Sequence, residues 1–373
     1  MIPRRSAKRS GARCGLFLTL GAALVGAPLA FGQGCVCVRG GGQTSLAGSF
    51  GLGGEHGYFQ PGDWQVSVNY RWAHSDRHFK GDEEFKLPSL LDAEAINDSN
   101  NFDLAVVYAI SSRWSIGMVL PFSYAVRSTK YEHDNVNRHE TTASGLGDIR
   151  LTAYYWVFDP NKGPKGNISL GIGPKFPTGE YDATDVFYPF TGPEVRPVDP
   201  SIQPGDGGFG FSAEMLAFRE FGERWSGYAQ AFYLFNPQNT NGVPLAGGPP
   251  GNPVRPINSI SDQYSARIGV NFVVAPKWGL ALSLGPRIDG VPVEDALGAS
   301  DGFRRPGYLV SIEPGLTWMK DKWSLTVTAP IAVYRNRPRS VEDKRITATR
   351  GIYQEGDAAF PDFFLTFSIA RRF

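Results

Sequence analysis

Trp64-Gln65-Val66-Ser67-Val68-Asn69-Tyr70-Arg71-Trp72 alternates without a break: every even position is apolar and every odd position is polar. A period of two puts the two kinds of residue on opposite faces of an extended strand. Such a strand suits a soluble sandwich, with its apolar face on a core. It suits equally a membrane barrel, with the apolar face on lipid and the polar face on a lumen. One strand does not decide between these; the whole set of strands, and the lengths of their connections, does.

Comparable alternation predicts strands near 63–73, 101–110, 113–128, 147–158, 165–177, 208–219, 224–236, 262–275, 278–290, 306–319, 322–336 and 361–373. These are twelve, an even number, as a barrel needs when both chain ends are periplasmic. Short connections fall at Ser111-Ser112, 159–164, 220–223, Pro276-Lys277 and Lys320-Asp321. Long ones fall between them, at 74–100, 129–146, 178–207, 237–261, 291–305 and 337–360. Short periplasmic turns alternating with long extracellular loops mark an up-and-down membrane barrel, whereas sandwich connections keep no such rhythm. Trp114, Trp225, Trp278 and Trp323 each stand at the start of a strand just after a short turn, where a girdle at the membrane interface belongs. The expected fold is therefore all-β: a transmembrane, up-and-down antiparallel β-barrel of twelve strands over 63–373. Strands of about 11–15 residues, at roughly 3.3 Å each and tilted about 40°, cover an apolar band of about 25 Å. The prolines at 189, 193, 197, 200 and 204, and at 244, 249, 250, 253 and 256, point to extended loops and not to a second domain.

The flanks agree with an envelope protein. Arg4, Arg5, Lys8, Arg9 and Arg13, with no acid among them, precede the uncharged apolar run from Gly15 to Phe31, the layout of a signal peptide over 1–32. Residues 33–62 then form a periplasmic or lumenal segment. It carries Cys35 and Cys37, whose spacing suits a strained local disulfide, an intermolecular pair or a plain tail. No later apolar run approaches the roughly 18–20 residues of a spanning helix. With 37 basic against 36 acidic residues there is no reason to expect a nucleic-acid partner. Forty-five glycines, 13% aromatics and four methionines fit strands and turns. At the other end Phe363, Leu365, Phe367 and Ile369 alternate with polar or small residues up to Phe373. This stretch resembles the terminal strand of bacterial outer-membrane barrels, and the resemblance implies that Phe373 is a membrane-insertion signal read by the barrel-assembly machinery.

Taking the polar parity of each strand places Arg71, Asp103, Arg150, Lys175, Glu214, Arg267, Arg287 and Glu313 in the lumen. Five bases and three acids do not make a single-sign filter. They fit charges that pair across the lumen, or a narrow polar conduit with a slight positive bias. Twelve strands enclose less room than a wide porin, so something narrows the lumen. The candidates are the 33–62 segment and the loop carrying Phe187, Tyr188 and Phe190, which is either a constriction or a site of loop-on-loop packing. Of the five histidines, His74, His78, His133 and His139 fall toward the outer rim beside Asp76, Glu132 and Asp134, without the spacing of a metal or catalytic site. No catalytic residue, metal ligand or cofactor is expected.

Gly145-Leu146-Gly147-Asp148 opening one strand, Tyr154-Tyr155 within it, and Lys175-Phe176-Pro177-Thr178-Gly179 closing the next resemble the G-x-G-D and P-T-G hairpin of an outer-membrane family known as meta-pathway phenol-degradation proteins. The close resemblance covers about 35 residues, and the barrel layout is shared loosely. It implies uptake of aromatic or other hydrophobic small molecules. The expectation is thus a barrel in the bacterial outer membrane that passes small molecules through a narrow or gated lumen, with the lipid bilayer and such solutes as partners. The alternatives are a non-transporting wall, receptor or adhesin and, third, an envelope hydrolase. The sequence carries no sign of oligomeric state.

Overall fold

The computed structural model describes residues 58–245 and 256–373, so the signal-peptide expectation, Cys35, Cys37 and most of the 33–62 segment lie outside the described residues. Among those described, twelve staves run up and down. They are β1 (Trp64–Lys80), β2 (Ile96–Ala109), β3 (Trp114–Thr129), β4 (His139–Leu146 continuing as Arg150–Trp156), β5 (Gly166–Lys175) and β6 (Gly210–Glu220). The second half is β7 (Trp225–Phe235), β8 (Gln263–Ala275), β9 (Leu280–Val291), β10 (Gly307–Lys320), β11 (Trp323–Thr328 continuing as Ile331–Asn336) and β12 (Ala358–Arg372). Each pairs antiparallel with the next, and β12 pairs with β1 from Gln65↔Arg372 to Phe79↔Ala358, which closes the sheet and leaves no edge. Phe373 N–H donates to the carbonyl of Trp64 at 2.8 Å, so the last residue is tied to the first stave.

The alternation of the sequence is the two faces of this wall. On β1 the odd positions Gln65, Ser67 and Asn69 are buried inside the barrel, while Trp64 and Val68 face outward. On β12, Phe363, Leu365 and Phe367 stay exposed on the outer face while Phe364 and Ser368 are buried within. A closed wall with an apolar exterior satisfies its backbone hydrogen bonds internally and presents the surface that hydrocarbon requires. The short-turn end carries an aromatic girdle built as cross-strand pairs. Trp64 packs on Tyr108 at 4.6 Å, Trp114 on Tyr155 at 4.7 Å and Trp225 on Phe272 at 4.6 Å. Arg113 lies over Tyr155, and Arg371 over both Trp323 and Phe373, placing cations at headgroup depth.

The staves are longer at the other end than the alternation predicts. β1 continues to Lys80 where the expected strand stops at 73, β2 starts at Ile96 instead of 101, and β4 gains His139–Leu146 out of the predicted loop 129–146. Above the membrane both faces of a strand meet water or loops, so no apolar/polar contrast marks it. The 337–360 loop also holds a helix, α2 (Val341–Arg350; α1 is the single turn Leu87–Leu90). Its capping box was readable as Ser340-Val341-Glu342-Asp343. Asp343 N–H donates to Ser340 Oγ at 3.0 Å, Ser340 N–H donates to Asp343 Oδ2 at 2.8 Å, and Gly351 ends the helix at φ 68°.

Candidate functional site

Three levels fill the lumen. At the outer level the chain leaving β5 runs through a hairpin of Thr184–Phe187 and Glu194–Pro197 with an exposed tip and then folds inward over 198–206. Its Ala183, Val198 and Ile202 pack on Ala125 of β3 and Ala143 of β4. Asp199, fully buried, receives a two-pronged bond from Arg305, with Nη1 at 3.2 Å and Nη2 at 3.0 Å, and lies 3.8 Å from Arg127 Nη2. Burial alone would push the Asp199 carboxyl up; the Arg127 and Arg305 guanidiniums outweigh it and hold the group below the usual carboxylate range. Arg127 also bonds Glu132, so one buried cluster joins the wall, the inward loop and the β9–β10 loop.

The motif residues anchor that loop. The Gly147, Gly179 and Gly205 backbones touch: a Cβ on Gly179 would stand 2.8 Å from Gly147 and 2.9 Å from Gly205 Cα. Asp148 accepts from Gly179 N–H at 3.0 Å and Asp206 N–H at 3.1 Å, while Thr178 Oγ1 accepts from Ile149 N–H at 2.9 Å and donates to the Gly147 carbonyl at 3.1 Å. The glycines are there for close backbone approach. The carboxylate takes up two amides that the turn leaves without strand partners.

The middle level is a belt of charge on the inward rows. Lys175 is held by Asp206 and lies 3.6 Å from Asp148. Arg267 and Arg287 share Glu313, at 2.6 and 2.9 Å, and Arg287 also bonds Asp289 at 2.7 Å. Glu214 accepts from Thr152 Oγ1 at 3.3 Å and Tyr154 OH at 3.0 Å. Asp103 has Arg150 and Arg71 as its electrostatic neighbours. Arg150 lies over the ring of Phe232 at 5.1 Å and Arg287 over Phe364 at 5.0 Å. A cavity of about 120 Å³ sits on the outer side of this belt, lined by Arg71, Asn101, Ser123, Gln203, Asp206 and Gln263 among others.

The inner level is apolar. Phe59, just before β1, is buried against Val107, Ala109, Tyr154, Trp156 and Leu216. Tyr58 meets Trp156 edge-on at 5.2 Å and accepts a hydrogen bond from Asn167 Nδ2 at 3.1 Å, while Arg372 covers Phe59 at 4.4 Å.

Of the aromatic trio expected in the 178–207 loop, none lines the cavity. Phe187 is 0% exposed and stacks on His133 at 5.2 Å, Tyr188 stacks on His139 at 4.7 Å, and Phe190 is 78% exposed. The residues of that loop that do reach the cavity are Pro200–Gln203, Gly205 and Asp206. Burial, and then the neighbouring His139, push His133 down to about 4. Among the described residues no group of three or more His, Cys, Asp or Glu is placed to hold a metal. Polar parity does not mark the inward aromatics Tyr154, Trp156, Phe218, Phe232 and Phe364, although Tyr154 and Trp156 share the parity of Arg150.

No family model matches the chain. No curated protein is detectably similar in sequence. Among solved structures, an outer-membrane channel from Pseudomonas putida F1 superposes with a TM-score of 0.56 at 14% identity, covering 86% of this chain and 98% of that one. A FadL homologue from Pseudomonas aeruginosa covers 93% and 99% at 8% identity, with a TM-score of 0.41. The P. putida toluene transporter TodX covers 84% and 90% at 10% identity, with a TM-score of 0.38. The first likeness is one of fold. Together with the closed wall, the apolar exterior and the interface girdle, it makes this chain a twelve-stranded β-barrel of the bacterial outer membrane.

Proposed function

We propose that this barrel passes small molecules, hydrophobic or aromatic ones among them, through a lumen closed at rest by its own loop and by the aromatic pair Tyr58 and Phe59 ahead of β1. The observation that carries this reading is the way the lumen is filled. The obstructions are a folded-in loop at 198–206, which lines a cavity on the outer side of the charged belt, and a pair of aromatic residues ahead of β1, both joined to the wall by side-chain contacts. A barrel that served only as a wall has no need of a lumenal cavity lined by a separately anchored loop. The hairpin motif that resembles the phenol-degradation family holds that loop in place, which favours the same substrate range.

The test uses intact cells carrying the full chain and a hydrophobic fluorescent dye excluded by the outer leaflet, with planar-bilayer recordings of the purified barrel. Faster dye entry than in control cells, and a larger unit conductance after deletion of 184–203, are expected. If neither wild type nor the deletion admits dye or current, transport is wrong and a receptor or structural role takes its place.

A further inference from the structure

We infer that Arg150 is the recognition group of a lumenal site for small arylcarboxylates, which deepens the transport reading and rests on it. Three of the other inward bases are paired with acids. Lys175 has Asp206 and Asp148, and Arg267 and Arg287 divide Glu313 and Asp289 between them. Arg150 enters none of the ion pairs among the described residues, although it is only 4% exposed, and its Nη1 and Nη2 are both buried without a hydrogen-bond partner. Asp103, its electrostatic neighbour, is shared with Arg71, and the carboxylate of Glu214 is taken by Thr152 and Tyr154. A buried guanidinium left in this state is costly, and an ionisable group kept at membrane depth marks a functional position.

The unbonded groups also specify the ligand. The two Nη nitrogens form the edge of the guanidinium that takes a carboxylate through two parallel hydrogen bonds. The ring of Phe232 lies 5.1 Å from the guanidinium carbon, so an aromatic face already borders this group. Along β4 the inward residues after Arg150 are Thr152, Tyr154 and Trp156, leading into the apolar cluster with Leu216 and Phe59. Above, Asp206 lines the cavity and holds Lys175, the register partner of Arg150 across β4 and β5. A solute with a carboxylate at one end and an aromatic body at the other matches this order of groups: the anion on Arg150, the ring on the aromatic stretch below.

The probes are benzoate and its near-isosteric neutral counterpart benzamide, titrated at pH 7.5 into the purified full-length barrel by calorimetry, with saturation-transfer NMR as a second readout. Wild type is expected to bind benzoate at least tenfold more tightly than benzamide. Arg150→Met should lose tenfold or more in benzoate affinity with no change for benzamide, and Arg150→Lys should recover part of it. Heat-modifiable gel migration establishes that each variant is a closed barrel; should Arg150→Met fail it, Arg150→Gln takes its place. Equal affinities for the two probes in wild type, or benzoate binding that survives loss of the guanidinium, overturns the assignment. Benzoate binding through Arg150 without any conductance or dye entry would refute transport and leave the site standing. Conductance and dye entry with no dependence of binding on Arg150 would do the reverse.

Discussion

At the scale of single residues, the outer loops are held by buried polar groups whose protonation and pairing make measurable predictions. His133 is 5% exposed, sandwiched between His139 and Phe187, and its Nδ1 accepts from the Tyr188 N–H at 3.1 Å. Its folded value, about 4, lies below the 6.5 of a free imidazole, so the unfolded or detached loop binds the proton more readily. The stabilisation is complete above pH 6.5 and is lost as pH falls toward 4. Amide exchange in the Thr184–Phe187 and Glu194–Pro197 hairpin, corrected for intrinsic rates, should therefore be faster at pH 5 than at pH 7.5, and His133→Phe should flatten the difference. Asp199 makes the complementary case. Its removal leaves Arg305 and Arg127 buried with one carboxylate fewer, so Asp199→Ala should weaken the inward loop by about 3–5 kcal/mol. Limited proteolysis between 179 and 207 reads this out; an unchanged cleavage rate would mean the cluster does not hold the loop.

At the scale of elements, the β4–β5 hairpin joins wall to plug. Gly147, Gly179 and Gly205 approach so closely that Gly179→Val would force its side chain into two backbones. Overpacking of this kind costs about 1–3 kcal/mol. The strain falls on the loop, because β4 and β5 are each held along their length by neighbouring staves. The expected result is a barrel with unchanged heat-modifiable migration, a more protease-sensitive 179–207 segment and a higher or noisier conductance. The motif was visible in the sequence as glycines and an aspartate at fixed offsets. What it grips was not, since Asp206 lies 58 residues from Asp148 and nothing between them marks the return.

At the scale of the whole molecule, closure and the lipid-facing exterior account for the stability. Val68 sits midway between Trp64 and Trp72 on the outer face of β1. Val68→Arg places a charge near the bilayer midplane and should cost about 2–4 kcal/mol in urea unfolding from vesicles, while Val68→Leu should be near neutral. A cost close to zero for the arginine would mean that this face does not meet hydrocarbon.

The amino-acid order by itself determined the wall: strand number, which face is which, and which ends carry short turns. These follow from period-two alternation and from connection length, both local properties of the chain. Tertiary structure decided what fills the wall. Whether Arg150 has a carboxylate within reach, whether Phe187 lines the lumen or stacks on His133, and whether the 198–206 stretch lies outside or turns in all depend on groups that closure brings together. Asp199 meets Arg305 across 106 residues, and no periodicity along the chain encodes such a distance in space.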